Sequence, residues 1–240
     1  MFGAKMEDSL YIVMPAYNEE ANIEEVVKEW HEVVTNAGPS SRLVVVNDGS
    51  KDNTYEKLLE LKETYPQLEP LTKANSGHGA TLLFAYNYAV EQKADYIFQT
   101  DSDGQTLPSE FGPFWEDRKL YDALIGHRNH REDGFSRVFV TKVLKLVIKL
   151  TFGVTVTDAN TPYRLMPRKT LEKYLPKIPK DFFLSNVLLS VLLVKNKDNV
   201  KFIPITFRPR QGGKNSINMK RIFKIGWQAL KDFRQLRKTI

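Results

Sequence analysis

Apolar residues along the chain fall into short continuous runs, separated by segments where they recur every three or four positions. Residues 10–14, 43–46, 69–72, 96–99 and 123–125 are runs of strand length. The second is largely β-branched, as expected of a strand buried on both faces. Between them, Ile23, Val26, Val27, Trp30, Val33 and Val34 repeat at helical spacing. Asp52 or Asn53 stands where an N-cap would precede a helix carrying Tyr55, Leu58 and Leu59. The stretch "NSGHGA" opens onto Leu82, Leu83 and Tyr86. Strand and helix signals in this alternation predict an α/β fold, a parallel sheet with helices on both faces.

The second half is less regular. "DANTPYRLMP" mixes turn residues with a short strand, and residues 200–207 form another strand candidate. "RPRQGGKNSIN" is a basic, glycine-containing loop, and a basic helix ends the chain. The most apolar run, 182–194, is interrupted by Ser185, Asn186 and Ser190 and is too short to span a bilayer. It reads as a core helix. No internal repeat or low-complexity tract is present, and 240 residues suit one large domain. We expect a single domain over 1–215, with 1–127 and 128–215 as its halves, followed by a basic amphipathic helix over 216–240.

Ligands of open sheets bind at the carboxyl ends of the strands. Four polar clusters occupy those ends: "PAYNEE", "NDGSKDN", "NSGHGA" and "TDSDGQ", after the first to fourth strands. Loops after strands are polar in any case, so the signal lies in the coincidence of all four. In an extended segment side chains alternate, which puts Asp101, Asp103 and Gln105 on one side. Two carboxylates and an amide oxygen are hard ligands suited to Mg²⁺ or Mn²⁺, and they leave coordination positions for substrate phosphates. The plain alternative is an Asx-turn leading into Leu107-Pro108. Asp48 could hold a base or ribose, with Pro15, Ala16, Tyr17 and Glu19 forming a wall of the same pocket. "GHG" at 77–79 matches a dinucleotide fingerprint only in part, because Leu82 stands at the third glycine position.

Charge and composition narrow the picture further. A formal charge of +6 favours anionic partners, and the absence of cysteine excludes disulfides and thiolate metal sites. The aromatic–basic interleaving of a single-strand nucleic-acid binder is missing, so nucleic acid is not expected. The opening "MFGAKMEDSLYIVMP" lacks the pattern of a signal peptide.

"VMPAYNEEANI", "VVVNDGSKDNT", "NSGHGATL", "QTDSDGQ" and "GHR", in this order and spacing, resemble the family-2 glycosyltransferases over roughly residues 9–215. The branch most resembled contains the dolichyl-phosphate mannose synthases and other polyprenyl-phosphate glycosyltransferases. The resemblance implies a GT-A fold, Rossmann-like and mostly parallel, with a C-terminal acceptor-side region. It also implies a GDP- or UDP-sugar donor, a divalent metal and inverting transfer to a polyprenyl phosphate, or alternatively to a saccharide hydroxyl. By position, Pro15, Ala16, Tyr17, Glu19, Asp48 and Asp101 line the nucleotide-sugar pocket, and Asp101, Asp103 and Gln105 form the metal site. Arg128 and Arg137, helped by Ser136, hold the acceptor phosphate. Asp158 is the candidate base for a hydroxyl acceptor. Arg208, Arg210 and Ser216 belong to a loop closing on the donor pyrophosphate. Thr161-Pro162 stands where that branch has a serine-glycine pair, and Arg164 follows it. A polyprenyl acceptor further implies a cytoplasmic enzyme held peripherally at the cytoplasmic membrane face. Residues 138–150 and the basic terminal helix are the two segments that could touch it.

Overall fold

A computed structural model of the chain describes residues 8–128, 135–208, 228, 232–234 and 236, with backbone alone for 135–141. Seven strands form one sheet, ordered β3-β2-β1-β4-β6-β5-β7. The first four are β1 (Leu10–Ala16), β2 (Arg42–Asn47), β3 (Leu68–Thr72) and β4 (Tyr96–Gln99); β5 (Ala123–Arg128), β6 (Arg164–Pro167) and β7 (Val200–Ile205) complete it. The strands predicted from apolar runs are all present within a few residues. The sheet is mostly parallel, as expected of the GT-A fold, with β6 antiparallel to both β4 and β5. The chain reaches β6 through a long helix and a hook of turn residues, not through a right-handed crossover, so nothing obliges it to run parallel.

The antiparallel strand has a consequence for the site. Because β4 and β5 both oppose β6, they are parallel to each other, and their carboxyl ends lie along one edge with those of β1 and β2. β6 starts at that same edge.

Period-two alternation divides the core between the two faces. Ile12, Met14, Leu43, Val45 and Phe98 pack against α1 (Ile23–Ala37), α2 (Thr54–Thr64) and α4 (Gly112–Glu116). Val13, Val44, Val46 and Ile97 pack against α3 (His78–Glu91), α5 (Phe135–Phe152), α6 (Arg168–Tyr174) and α7 (Ser185–Lys195). At about 1.5–3 kcal/mol for each large apolar side chain fully buried, this two-sided burial dominates the stability of the sheet. Trp30 anchors the first face, with its ring 5.4 Å from Phe98 and 6.0 Å from Tyr163. On the second face, α7 is buried along residues 185–193, which accounts for its unbroken apolar sequence. Gly79 in the first turn of α3 makes this packing possible, because a Cβ there would lie 2.4 Å from the Phe182 carbonyl oxygen.

The two segments expected to touch a membrane differ. On α5, Val143, Leu146 and Leu150 are 42, 56 and 72% exposed, beside exposed Lys142, Lys145 and Lys149. In the terminal segment Phe233 is fully buried, its ring 5.3 Å from Phe152 and 6.1 Å from Phe182. The rest of 216–240, including its expected basic face, lies outside the described residues apart from the few positions given above. Among the described residues no helix is long and apolar enough to cross a membrane.

Candidate active site

The loops after β1 and β2 are stitched together before any ligand is considered. Asn18 adopts a left-handed backbone (φ 54°). Its N–H donates to Ser50 Oγ at 3.0 Å, and its side-chain oxygen accepts from Lys51 N at 2.8 Å. Glu19 N donates to Thr54 Oγ1 at 2.9 Å, and Glu20 Oε1 accepts from the Asn53 amide at 3.0 Å. Asp52, just ahead of the Asn53 N-cap of α2, accepts from Thr54 N at 3.1 Å. Gly49, at φ 62°, allows the turn beneath this pair of loops, where a Cβ would lie 2.8 Å from Asn75 N.

Asp48 is buried at the end of β2, and its N–H donates to Ala16 O at 2.8 Å. Its carboxylate accepts from Lys73 Nζ at 2.5 Å, Ser76 N at 2.9 Å and Gly77 N at 2.8 Å. Burial alone would raise this carboxyl, but the Lys73 ammonium, the Ser76 N–H and Thr81 hold it below the ordinary carboxylate value. Asp48 therefore anchors the 73–77 loop with its carboxylate, a role the sequence did not reveal. Of the other expected pocket residues, Pro15 and Ala16 are buried at the end of β1 and Tyr17 is exposed beside them. Glu19 is buried and accepts from the Asn22 amide at 2.8 Å.

The segment after β4 bends and is not a continued strand, with Gly104 at φ 71°. Its burial nonetheless alternates: Ser102, Gly104 and Thr106 are buried, and Asp101, Asp103 and Gln105 are partly exposed. The inward residues make the contacts that fix the loop. Ser102 Oγ donates to Pro15 O at 2.8 Å, and the hydroxyls of Thr100 and Thr106 meet at 2.6 Å. The outward three have separate partners: Asp101 meets His78, and Asp103 Oδ1 accepts from Gln105 N at 3.1 Å, the Asx-turn expected as the plain alternative. Gln105 Nε2 donates to Arg208 O at 3.2 Å, which turns Oε1 into the amide's ligating atom. Two carboxylates and this oxygen fit a hard divalent cation. Among the described residues no three His, Cys, Asp or Glu side chains converge on such a site, so most of a cation's coordination would fall to a bound substrate or solvent.

His78 joins this group unannounced. Its Nε2 lies 3.1 Å from Asp101 Oδ1. The imidazole is exposed, and the carboxylates of Asp101, Asp103 and Asp48 together raise it above its usual value. The signal available in the sequence was a histidine at the start of a helix, where the helix dipole disfavours a cation.

Farther along the same sheet edge, Arg128 ends β5. Its Nε donates to Asp158 Oδ2 at 3.1 Å and its second terminal nitrogen to Oδ1 at 3.4 Å. The guanidinium carbon lies 5.1 Å from the Phe207 ring centre. Both carboxylate oxygens of Asp158 thus face a guanidinium, which suits positioning better than taking up a proton. Arg208, expected near the donor pyrophosphate, pairs with Glu29 at 2.5 Å, and its Nε donates to the Gly104 carbonyl. It closes the back of the Asp101–Gln105 loop. The side chains of Ser136 and Arg137, and residues Arg210 and Ser216 altogether, lie outside the described residues.

The family model described as Glycosyl transferase family 2 matches residues 11–175, more than half of the chain. A UDP-N-acetylglucosamine–dolichyl-phosphate N-acetylglucosaminyltransferase of Methanococcus voltae is 27% identical over 83% of this chain and 86% of its own length. A polyprenol monophosphomannose synthase of Mycolicibacterium smegmatis is 26% identical, over 84% and 78% respectively. An undecaprenyl-phosphate 4-deoxy-4-formamido-L-arabinose transferase of Pseudomonas paraeruginosa matches at 26%, and the chain spans half of its length. Among solved structures, glucosyl-3-phosphoglycerate synthase from Mycobacterium tuberculosis, crystallised with Mn²⁺, UDP-glucose and phosphoglyceric acid, superimposes with a TM-score of 0.68. It covers 96% of this chain and 80% of its own, at 16% identity. That likeness establishes the GT-A fold.

Proposed function

Since the chain belongs to glycosyltransferase family 2 and is a glycosyltransferase, we propose that it moves a sugar from a GDP- or UDP-sugar to a polyprenyl phosphate, with inversion at the anomeric carbon. The observation that carries the acceptor half of this reading is the Arg128–Asp158 pair, on the same sheet edge as Asp101 and Asp103. A guanidinium fixed by a carboxylate is a preoriented fork for an incoming phosphate. The named functions of the Methanococcus and Mycolicibacterium relatives support the same acceptor class.

In this reading an acceptor phosphate oxygen forms a bond to the anomeric carbon as the bond to the nucleoside diphosphate breaks. The diphosphate leaves with the electron pair. A phosphate is already an anion at neutral pH, so the acceptor needs orientation and no general base. Asp101, Asp103 and Gln105 would hold Mg²⁺ or Mn²⁺, which would neutralise charge on the departing diphosphate. The Mn²⁺ and UDP-glucose bound by the structural neighbour give that assignment a precedent on this fold. Pro15, Ala16, Tyr17, Glu19 and Asp48 form the nucleotide wall, with Arg210 closing on the diphosphate. Arg137 and Ser136 join Arg128 at the acceptor phosphate. The alternative, a saccharide hydroxyl acceptor, would need Asp158 as a base, and its engagement with Arg128 argues against that.

A polyprenyl acceptor is bilayer-bound, and the exposed face of α5 supports peripheral contact at the cytoplasmic membrane surface. Val143, Leu146 and Leu150 would enter the interface, and Lys142, Lys145 and Lys149 would meet anionic headgroups at about 1 kcal/mol each. The test is a panel of nucleotide sugars with Mn²⁺, with and without a short polyprenyl phosphate, read as nucleotide release. Release that requires the lipid phosphate is expected. Release that requires a saccharide and ignores the lipid would overturn the assignment.

A further inference from the structure

β6 begins at Arg164, in register with Gln99 of β4 on one side and Ile125 of β5 on the other. Arg164 thus occupies the middle of the sheet edge that carries both halves of the site. Its side chain has no exposed surface. All its N–H groups are donated: Nε to Thr161 O at 3.1 Å, one terminal nitrogen to Asn186 O and Ser190 Oγ, each at 3.2 Å, and the other to Ala159 O at 3.2 Å and Thr161 O at 2.8 Å. Every acceptor is neutral. Burial pulls its pKa down; Tyr86 and the Asp158 and Asp101 carboxylates oppose that.

This is an expensive way to hold a core together. A buried charge costs several kcal/mol unless it is well compensated, and an apolar side chain of similar volume is often the more stable choice. The surroundings add to the cost. Gln99 Nε2, Thr161 Oγ1 and Asn186 Oδ1 are three of the four buried side-chain atoms without a hydrogen-bond partner among the described residues. Local rules broken together in this way are expected at functional positions. The bonds also have a direction. Two of the acceptors, Ala159 O and Thr161 O, belong to the hook immediately after Asp158. Ser190 Oγ lies 2.8 Å from Asn186 O and 3.1 Å from Ala159 O, so its one hydroxyl proton is shared between its own helix and the hook. Tyr163 O accepts from Gly126 N at 2.7 Å, two residues before Arg128.

We propose that Arg164 is a positioning residue for the acceptor side. It folds the 158–163 hook that sets Asp158 and, through Asp158, aims Arg128. This rests on the reading of Arg128 as the acceptor phosphate's partner.

The experiment compares wild type, Arg164→Lys and Ser190→Ala. A lysine keeps the charge but has three donors on a point ammonium and cannot hold the same spread of acceptors. Amide exchange in 158–163 should accelerate in Arg164→Lys. KM for a short polyprenyl phosphate should rise on the order of ten- to a hundred-fold, the cost of a small misplacement of reacting groups. UDP and GDP affinity should stay within about two-fold, far less than the ten-fold change that 1.4 kcal/mol produces. Ser190→Ala, which keeps the arginine, should move the same two readouts in the same direction by a smaller factor, and it preserves the test if the lysine variant does not fold. Unchanged exchange in 158–163, or donor and acceptor constants falling together with the melting temperature, would overturn the proposal. If wild type shows no lipid-phosphate transfer but the exchange change appears, the hook-folding role of Arg164 stands and the assignment of Arg128 falls.

Discussion

The two ends of the active edge are built differently. On the donor side, the loops after β1, β2 and β4 satisfy one another through short polar side chains. Asn18 bonds across to the Ser50–Lys51 turn, Asp48 to the 73–77 loop and Ser102 to Pro15. On the acceptor side, the polar groups are large and charged: Arg128 on Asp158, and Arg164 buried beneath the hook. The donor wall resembles a folded surface that recognises by shape and backbone. In the proposed reading Arg128 is a preoriented cation, as recognition of a phosphate requires, and Arg164 is spent wholly on the hook. A cation on a flexible loop would serve less well, and Asp158 and the hook supply the rigidity.

The sharpest break in this comparison should come from Asp103→Ala. The carboxylate is partly exposed and serves the candidate cation site rather than the core. Transfer should fall to background in a turnover assay while the melting temperature holds, and chelation of the wild type should do the same reversibly. Full turnover in excess EDTA would remove the metal from the account.

Arg128→Ala comes next. Hydrogen bonds to charged groups are worth about 1.5–3 kcal/mol, so acceptor kcat/KM should drop by about one to two orders of magnitude, with nucleotide affinity measured by calorimetry unchanged. An equal loss of donor affinity would assign Arg128 to the donor wall.

Asp48→Asn should act through stability and pH. The Asp48 carboxyl titrates below its ordinary value in the folded chain. The stability it contributes is therefore present above the unfolded carboxylate pKa, about 3.9, and is lost as pH falls through the lower folded value. Chemical denaturation should find wild type more stable than Asp48→Asn at pH 7, with the gap closing below about pH 4. A gap that persists undiminished at pH 2 would contradict the anchor role.

The smallest stability effect belongs to Leu146→Ser with Leu150→Ser. Both side chains are more than half exposed, so unfolding free energy should move by no more than about 0.5 kcal/mol per substitution. Sedimentation with anionic liposomes at low salt should nevertheless fall. Unchanged co-sedimentation would remove α5 as the membrane contact.

The same contrast explains what the sequence disclosed. The polar clusters after β1, β2 and β4 were legible because each directly follows its strand. Asp101, Asp103 and Gln105 still alternate with buried Ser102, Gly104 and Thr106 even though the segment bends, because Ser102 and Thr106 hold it from inside. No periodicity announces that Arg128 will meet Asp158, which lies in a stretch that follows no strand. The antiparallel β6 was hidden for a similar reason: four residues carry no mark of direction. Nothing in the turn-rich stretch before Arg164 marked it as a buried residue. Lys73 and His78 were missed because a lysine or histidine in a polar loop is ordinary until a carboxylate is found beside it. The two helices expected at the membrane looked alike in sequence. Only the fold separates α5, whose apolar stripe is exposed, from Phe233, which closes the core against Phe152.

The central claim is that the acceptor wall recognises a phosphate. The most direct measurement offers the enzyme, with its nucleotide sugar and Mn²⁺, two lipids of the same chain length, a polyprenyl phosphate and the corresponding polyprenol, and follows glycolipid formation by mass spectrometry. The account predicts product from the phosphate alone, and loss of that product in Arg128→Ala. Comparable product from the alcohol would contradict it.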